Sequence, residues 1–264
     1  MLATRVLSAL ILAPPFLYCV WIGGASLLIL TLCLSILSLR EYFDLLEGAG
    51  RKSQRPLGFF WVATLYLGLW LNGPSGLLAA LVLVPNLFVL KYLSKPAIEG
   101  ALTEMTHTFY GVLAYATPLA FLFLLGRGGQ FQPPWLVLLL ILVWVQDTAA
   151  YFWGLAMGRT LFQPWISPKK TWEGAILGLL TALVAAACFI TLGLSRPLTL
   201  PAVLGLILVA VSAQLGDLNE SLLKRNVAAK DSGNLIPGHG GVLDRFDSFT
   251  FAAPVMYYVA QWAL

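Results

Sequence analysis

The chain has 264 residues, 59% of them from the set AVILMFWYC, with 24 glycines besides and only 11% charged. A soluble domain carries about 25% charged residues, so this composition excludes a soluble enzyme, a disordered chain and a disulfide scaffold. Long unbroken apolar runs also exclude an outer-membrane barrel, whose strands would read as short alternating segments, and leave an all-α, polytopic integral membrane protein with a formal net charge of +4.

A spanning helix takes about 20 apolar residues. In chain order the apolar runs predict about nine spans, at 6–23, 25–42, 57–72, 75–93, 106–126, 134–156, 173–194, 200–222 and 246–264. The first follows a single Arg, as a signal peptide would, but no small-x-small cleavage site comes after it, so it is read as a retained span. Nine spans leave no room for a separate globular domain. The expectation is one membrane domain over 1–264, with a helical scaffold over 1–126 and the active site on the helices of 134–264. Cys19, Cys33 and Cys188 fall inside apolar runs without metal-ligand spacing and read as packing residues. The nine tryptophans read mostly as interfacial belts.

Lys and Arg set the orientation. With the N-terminus inside, one side holds Arg5, Arg40, Arg51, Lys52, Arg55, Lys91, Lys95, Arg159, Lys169, Lys170, Lys224, Arg225, Lys230 and Arg245, and the other only Arg127 and Arg196. The acids fall on the same side, with Glu41 at a helix end and Asp44, Glu47, Glu99 and Glu104 in loops. Asp147, Glu173, Asp217, Glu220, Asp231, Asp244 and Asp247 lie at or near the same ends of spans six to nine. Polar chemistry on one side suits an enzyme fed from the cytosol. A transporter would place polar groups at mid-membrane in both halves, and the first half has none.

The densest constellation lies over 217–247. Asp217, Glu220, Ser221 and Lys224 share one helix face, and Asp244 and Asp247 are spaced i, i+3 at the start of the last span. Carboxylates on two adjacent helix ends can converge on a hard cation such as Mg²⁺, which takes oxygen ligands and substrate phosphates. Lys224, Arg225, Lys230 and Arg245 stand around them, as groups that bind phosphates do. The turn Pro237-Gly238-His239-Gly240-Gly241 lets backbone approach a ligand closely, and His239 reads equally as a ligand contact or as part of that turn. A second constellation runs from Trp144 through Asp147, deep in an apolar span where an unpaired charge is expensive, to Ser167-Pro168-Lys169-Lys170-Thr171 before a helix start. That helix start predicts a phosphate cradle. Gly154-x-x-x-Gly158 and Gly174-x-x-x-Gly178 predict close helix packing. His107 has no metal-ligand partner nearby in sequence. From the residues alone, this is a membrane enzyme acting on a phosphorylated, metal-bound substrate at the cytosolic face.

One segment carries a family resemblance. Ser221-x-Leu223-Lys224-Arg225, then Lys230-Asp231-x-Gly233, then Ile236-Pro237-x-His239-Gly240-Gly241-Val242-x-Asp244-Arg245-Phe246-Asp247 resembles the signature of the phosphatidate cytidylyltransferases, with no departure at a fixed position. Gly216-Asp217-Leu218, Glu220, Trp144, Asp147, Ala150-Tyr151 and Ser167-Pro168-x-Lys170-Thr171-Trp172 also fit; outside 144–254 the likeness is to a hydrophobic scaffold with a family-like Arg5-Val6 start. The resemblance implies a nucleotidyltransferase of phospholipid biosynthesis that transfers CMP from CTP to phosphatidate, giving CDP-diacylglycerol and pyrophosphate. It implies Mg²⁺, with room for a second cation. It places the enzyme in the bilayer of a bacterial inner (plasma) membrane with its site facing the cytoplasm. It implies no nucleic-acid partner and is compatible with a homodimer. Carried over, Asp217 and Asp244, then Asp247 and Glu220, would hold the metal. Lys170, Lys224, Arg225 and Lys230 would bind phosphates, with Arg245 beside them, and Asp147, Ser221 and His239 would line the site. A CDP-alcohol phosphotransferase would need an Asp-Gly-x-x-Ala-Arg pattern, which is absent. A CTP-dependent polyprenol kinase and an enzyme of archaeal-type ether lipids are the other lipid-enzyme readings.

Overall fold

The computed structural model describes residues 2–93, 98–127 and 134–264; the expected cytoplasmic Lys95 and the middle of the 126–134 connection lie outside them, as do the side chains of Arg5 and Lys91. Eleven helices follow in order: α1 Leu2–Ile22, α2 Gly24–Gly48, α3 Arg55–Asn72, α4 Pro74–Leu83, α5 Leu90–Leu93, α6 Ala101–Gly111, α7 Ala120–Gly126, α8 Trp135–Met157, α9 Trp172–Cys188, α10 Leu200–Asn226 and α11 Leu243–Trp262. Tight turns join α4 to α5, and a wide turn over Val112–Ala116 followed by a tight one joins α6 to α7, so that Ala101–Gly126 is one continuous rod. Each predicted span thus coincides with a helical segment. Among the described residues, five are long and apolar enough to cross a membrane: Gly24–Gly48, Ala101–Gly126, Trp135–Met157, Trp172–Gly193 and Leu200–Asn226. The helix α11 opens with Asp244, Arg245 and Asp247, which makes its first turn polar.

The outer surface is what lipid demands. Leu155, Leu180, Val184 and Leu204 face outward on α8 to α10, where a water-soluble protein would not tolerate so large an apolar surface. Cys33 and Cys188 are exposed on that surface and Cys19 is half-buried, so the expected packing role fails for the first two. The core runs through both halves of the chain, and its aromatic part lies among the N-terminal helices. Trp61, Phe88 and Phe109 meet edge to face with centroids 4.9–5.7 Å apart, and Tyr42, Phe43 and Tyr115 are fully buried beside them. Trp61 is therefore a core residue, its indole donating to Ala80 O at 3.0 Å, and not part of an interfacial belt.

Contacts between connections define the two ends of the bundle. At one end Gly24 N donates to Arg127 O at 3.2 Å, Arg196 donates to Leu264 O at 2.7 Å, and the Arg196 guanidinium lies 5.2 Å from the Trp135 ring centre. At the other end His107 Nδ1 shares a hydrogen bond with Lys52 O at 2.8 Å, and Arg51 donates to Asn226 O at 3.3 Å. The dense polar segment belongs to this second end.

Two close approaches set the geometry there. A Cβ on Gly178 would stand 2.7 Å from Ala150 Cβ and 2.9 Å from its Cα, so α8 and α9 touch backbone to backbone, as the small-residue spacing predicts. A Cβ on Gly216 would stand 2.5 Å from Asp247 O, which holds α10 against the first turn of α11. Gly178→Leu is expected to push α9 off α8 and to destabilise by about 1–3 kcal/mol, the usual range for overpacking; denaturation of the detergent-solubilised protein checks this. Ala150 is itself committed to this contact.

Candidate active site

Between α8 and α9 the chain makes a hairpin that the sequence did not announce. Strand β1, Leu161–Gln163, pairs antiparallel with β2, Ser167–Thr171. The segment expected to form a phosphate cradle at a helix start is therefore a strand. The start of α9 is closed by the chain itself: Thr171 Oγ1 accepts from Gly174 N at 3.2 Å, and Glu173 accepts from Arg159 N and Thr160 N at 3.2 Å. These groups occupy donors that an anion would otherwise take. The lysines reach the site by another route. The hairpin, braced by Trp172 against Phe162 (centroids 4.4 Å apart) and by Arg225 Nε donating to Ile166 O at 3.1 Å, projects Lys169 and Lys170 into a cavity.

That cavity has a volume of about 410 Å³ and lies among α8, α9, α10 and the hairpin, within the size range of small-molecule sites. Asp147, Lys169, Lys170 and Asp217 supply its charge, and Tyr151, Leu155 and Phe162 its apolar wall. Lys170 Nζ pairs with Asp217 Oδ2. Burial pulls the Lys170 amine below the ordinary lysine range, while the negative charges of Asp247, Asp147 and Glu220 work against that shift. One lysine thus sits among four of the carboxylates singled out in the sequence.

A second cluster adjoins it. Lys224 Nζ lies 2.5 Å from Glu220 Oε2 and 2.8 Å from Asp244 Oδ1. Oε2 of Glu220 is held by that ion pair, while its fully buried Oε1 has no hydrogen-bond partner among the described residues. Asp244 is the opposite case. Its Oδ2 accepts from Ser232 N at 2.9 Å, Ser232 Oγ at 2.9 Å and Gly241 N at 2.8 Å. Asp247 Oδ1 accepts only from the neighbouring Ser248 N among the hydrogen bonds described, at 2.6 Å.

The structure thus brings together Lys170, Asp147, Asp217, Glu220, Lys224, Asp244 and Asp247. Ser221 is half-buried on α10 beside them. Arg225 is turned to the hairpin backbone, and Lys230 and Arg245 are exposed at the rim. His239 shares a hydrogen bond with Ser8 Oγ through Nδ1 at 2.8 Å, tying the glycine turn to α1. Sequence reasoning missed Glu41. It read as one more acid at a helix end, yet its buried carboxyl receives Val242 N at 2.9 Å and Leu243 N at 2.8 Å at the start of α11. Its only sequence signal was an acid next to the aromatic pair Tyr42-Phe43 in a long helix.

The buried Oε1 of Glu220, with no hydrogen-bond partner among the described residues, is what a site built for a cation would leave. Among the described residues no three acidic, imidazole or thiol side chains converge as a metal cage. Mg²⁺ commonly takes one or two carboxylates and completes its shell with water and substrate phosphates, so the carboxylates present fit it.

Comparison with known proteins agrees with the geometry. The model of the cytidylyltransferase family matches residues 3–263. A phosphatidate cytidylyltransferase of Brucella suis is 33% identical over 257 residues, covering 97% of this chain and 92% of that protein. One of Haemophilus influenzae is 51% identical over 128 residues, and one of Bacillus subtilis 46% over 122; these alignments cover 47% and 45% of this chain and 44% of each of those proteins. With a match running nearly from end to end, the chain belongs to the cytidylyltransferase family.

Proposed function

We propose that the chain is a phosphatidate cytidylyltransferase, transferring CMP from CTP to phosphatidate to give CDP-diacylglycerol and pyrophosphate. The observation that carries this reading is Lys170, held by Asp217 in the wall of a cavity whose lining is part charged and part apolar. A lipid phosphate needs both halves. Its tails stay in hydrocarbon, at about 0.8 kcal/mol for each CH₂ kept from water, while its headgroup reaches a cation. The full-length likeness to the Brucella enzyme supports the same substrates.

In the reaction an oxygen of the phosphatidate phosphate attacks the α-phosphorus of CTP, and the bond to the bridging oxygen of the β-phosphate breaks. The electron pair leaves on pyrophosphate. The nucleophile belongs to the substrate, so the protein's work is to gather two anions and to stabilise the leaving group. Lys170 and Lys224 offset the repulsion of the two phosphate groups, and the rim cations Lys230 and Arg245 draw the triphosphate in. Asp217, Glu220 and Asp247 are the residues that would hold Mg²⁺, with Asp244 fixed beside them; a bound Mg²⁺ supplies Lewis-acid stabilisation of phosphoryl oxygens. Asp217 keeps Lys170 in place in the cavity wall, and Asp147 lines the same cavity.

We further read the chain as one membrane domain crossing a bacterial inner membrane about nine times, the polar end in the cytoplasm, where CTP is. The charge split between the two ends supports this. Cysteines placed at Lys169 and Lys230 are expected to react with an impermeant maleimide only from the cytoplasmic side of inverted vesicles. Labelling of intact cells would reverse the orientation.

The function is tested by incubating the purified protein with radiolabelled CTP, phosphatidate and Mg²⁺ and extracting lipid. A lipid-soluble cytidine product is expected. Its absence in folded protein, with phosphatidate presented in mixed micelles, would overturn the reading.

A further inference from the structure

We propose that Glu41 is a positioning residue of the active site, fixing the start of α11 and the carboxylate of Asp244 from the other half of the chain. The inference rests on the cytidylyltransferase reading above. Helix α2 is anchored by Tyr42 and Phe43, both fully buried next to Glu41 in sequence. From that platform the Glu41 carboxyl enters the polar end of the molecule and is itself buried. Oε1 accepts from Val242 N at 2.9 Å, and Oε2 from Leu243 N at 2.8 Å and Ser232 Oγ at 3.1 Å. The first N–H groups of a helix have no partner within it, and a carboxyl there is also favoured by the helix dipole. This cap is delivered from about 200 residues away, so it fixes a tertiary distance as well as a helix end.

The link to the chemistry runs through Ser232. Its Oγ lies between Glu41 Oε2 at 3.1 Å and Asp244 Oδ2 at 2.9 Å, and it also receives Asp244 N at 3.3 Å. A hydroxyl has one proton, so Ser232 serves one carboxyl at a time and locates both. Two glycines of the signature segment make the seat. A Cβ on Gly233 would stand 2.9 Å from Glu41 Oε1, and one on Gly241 would overlap the Glu41 carboxyl and the Ser232 hydroxyl. Those glycines thus make room for a side chain that the signature segment does not contain. Asp244 and Asp247 both sit on the first turn of α11, so wherever Glu41 holds that turn, it holds their distance to Lys224 and Lys170.

The test uses the full-length protein in mixed micelles and two variants. Glu41→Gln keeps the shape but turns an N–H₂ toward Val242 N or Leu243 N, both of which are donors. Ser232→Ala removes the link to Asp244 and leaves no buried charge unpaired. Each is expected to lower kcat about 10–100-fold, as losses of residues supporting a site do. KM for CTP and for phosphatidate should stay within about twofold, because substrate contacts are untouched. Amide hydrogen exchange over 241–247 should quicken in Glu41→Gln. Wild-type kcat in both folded variants, or KM rising in step with the loss, would overturn the proposal. Should Glu41→Gln not fold, Ser232→Ala decides by the same split. If the wild type itself makes no lipid-linked cytidine, the reading of the function has failed, and the exchange measurement still decides whether Glu41 holds the turn.

Discussion

Asp244→Asn is expected to remove turnover and to weaken the fold together. Asp244 is nearly buried, and its Oδ2 accepts three hydrogen bonds while Oδ1 faces Lys224 at 2.8 Å. An amide at this place must turn an N–H₂ either at the donors of Ser232 and Gly241 or at the ammonium of Lys224. Breaking one partner of a buried pair costs about 3–5 kcal/mol; the low end applies, because Lys224 keeps Glu220 at 2.5 Å. The rate effect is larger. Lys224 is left paired to Glu220 alone, the loop of Ser232 loses its hold on α11, and the site loses charge where phosphates react. We expect kcat to fall about a thousandfold or more, since several kcal/mol at about 1.4 kcal/mol per decade are involved. Two measurements check this: lipid-linked cytidine formation, and loss of fluorescence-monitored stability in the same sample. An Asp244→Asn protein that melts like the wild type would show that the hydrogen bonds around Oδ2 contribute little, and one that turns over like it would remove Asp244 from the site.

The sequence told much about this site because its signals are local. Asp244 and Asp247 fall three apart, and Glu220 and Lys224 four apart, so helix periodicity alone places each pair on one face. The glycine spacing of α8 and α9 foretold backbone contact, and Gly178 against Ala150 bears it out. What stays hidden is whatever depends on partners far apart in the chain. Ser167–Thr171 looked like loop leading to a helix, because a three-residue strand such as Leu161–Gln163 carries no period to read. The charge of Arg225 is visible in sequence, while the carbonyl of Ile166 that its Nε serves is not. Asp244 shows in sequence as a candidate metal ligand, but its donors, Ser232 at a position the signature leaves free and Gly241, show only in the fold. Glu41 escaped for the same reason, as its donors lie about 200 residues on. A sequence displays which groups are charged; only the fold displays which charges are already satisfied.

Lys170 offers the contrasting case, in which function and stability should separate. Its pair with Asp217 is partly open, with side chains 36% and 25% exposed. Such pairs contribute about 1 kcal/mol or less to stability. Lys170→Gln should therefore melt close to the wild type. Its turnover should nevertheless fall about 10²–10³-fold, the loss typical of removing one preorganised group that faces developing charge. The reason is the company Lys170 keeps: Asp147, Asp217, Glu220 and Asp247 all bear on it, and without it two phosphate groups must enter a region that is negative already. Lys170→Arg keeps the charge but not the compact ammonium, and should recover part of the rate. The double variant Lys170→Gln, Asp217→Asn is the sharper control. It removes a positive and a negative charge together, so the electrostatic balance of the empty cavity is restored while the phosphate-binding cation is still missing. Activity as low as in Lys170→Gln alone is expected, since the double variant lacks both the phosphate-binding cation and a residue that would hold Mg²⁺. Recovery of the rate in the double variant would mean that Lys170 serves only to neutralise Asp217.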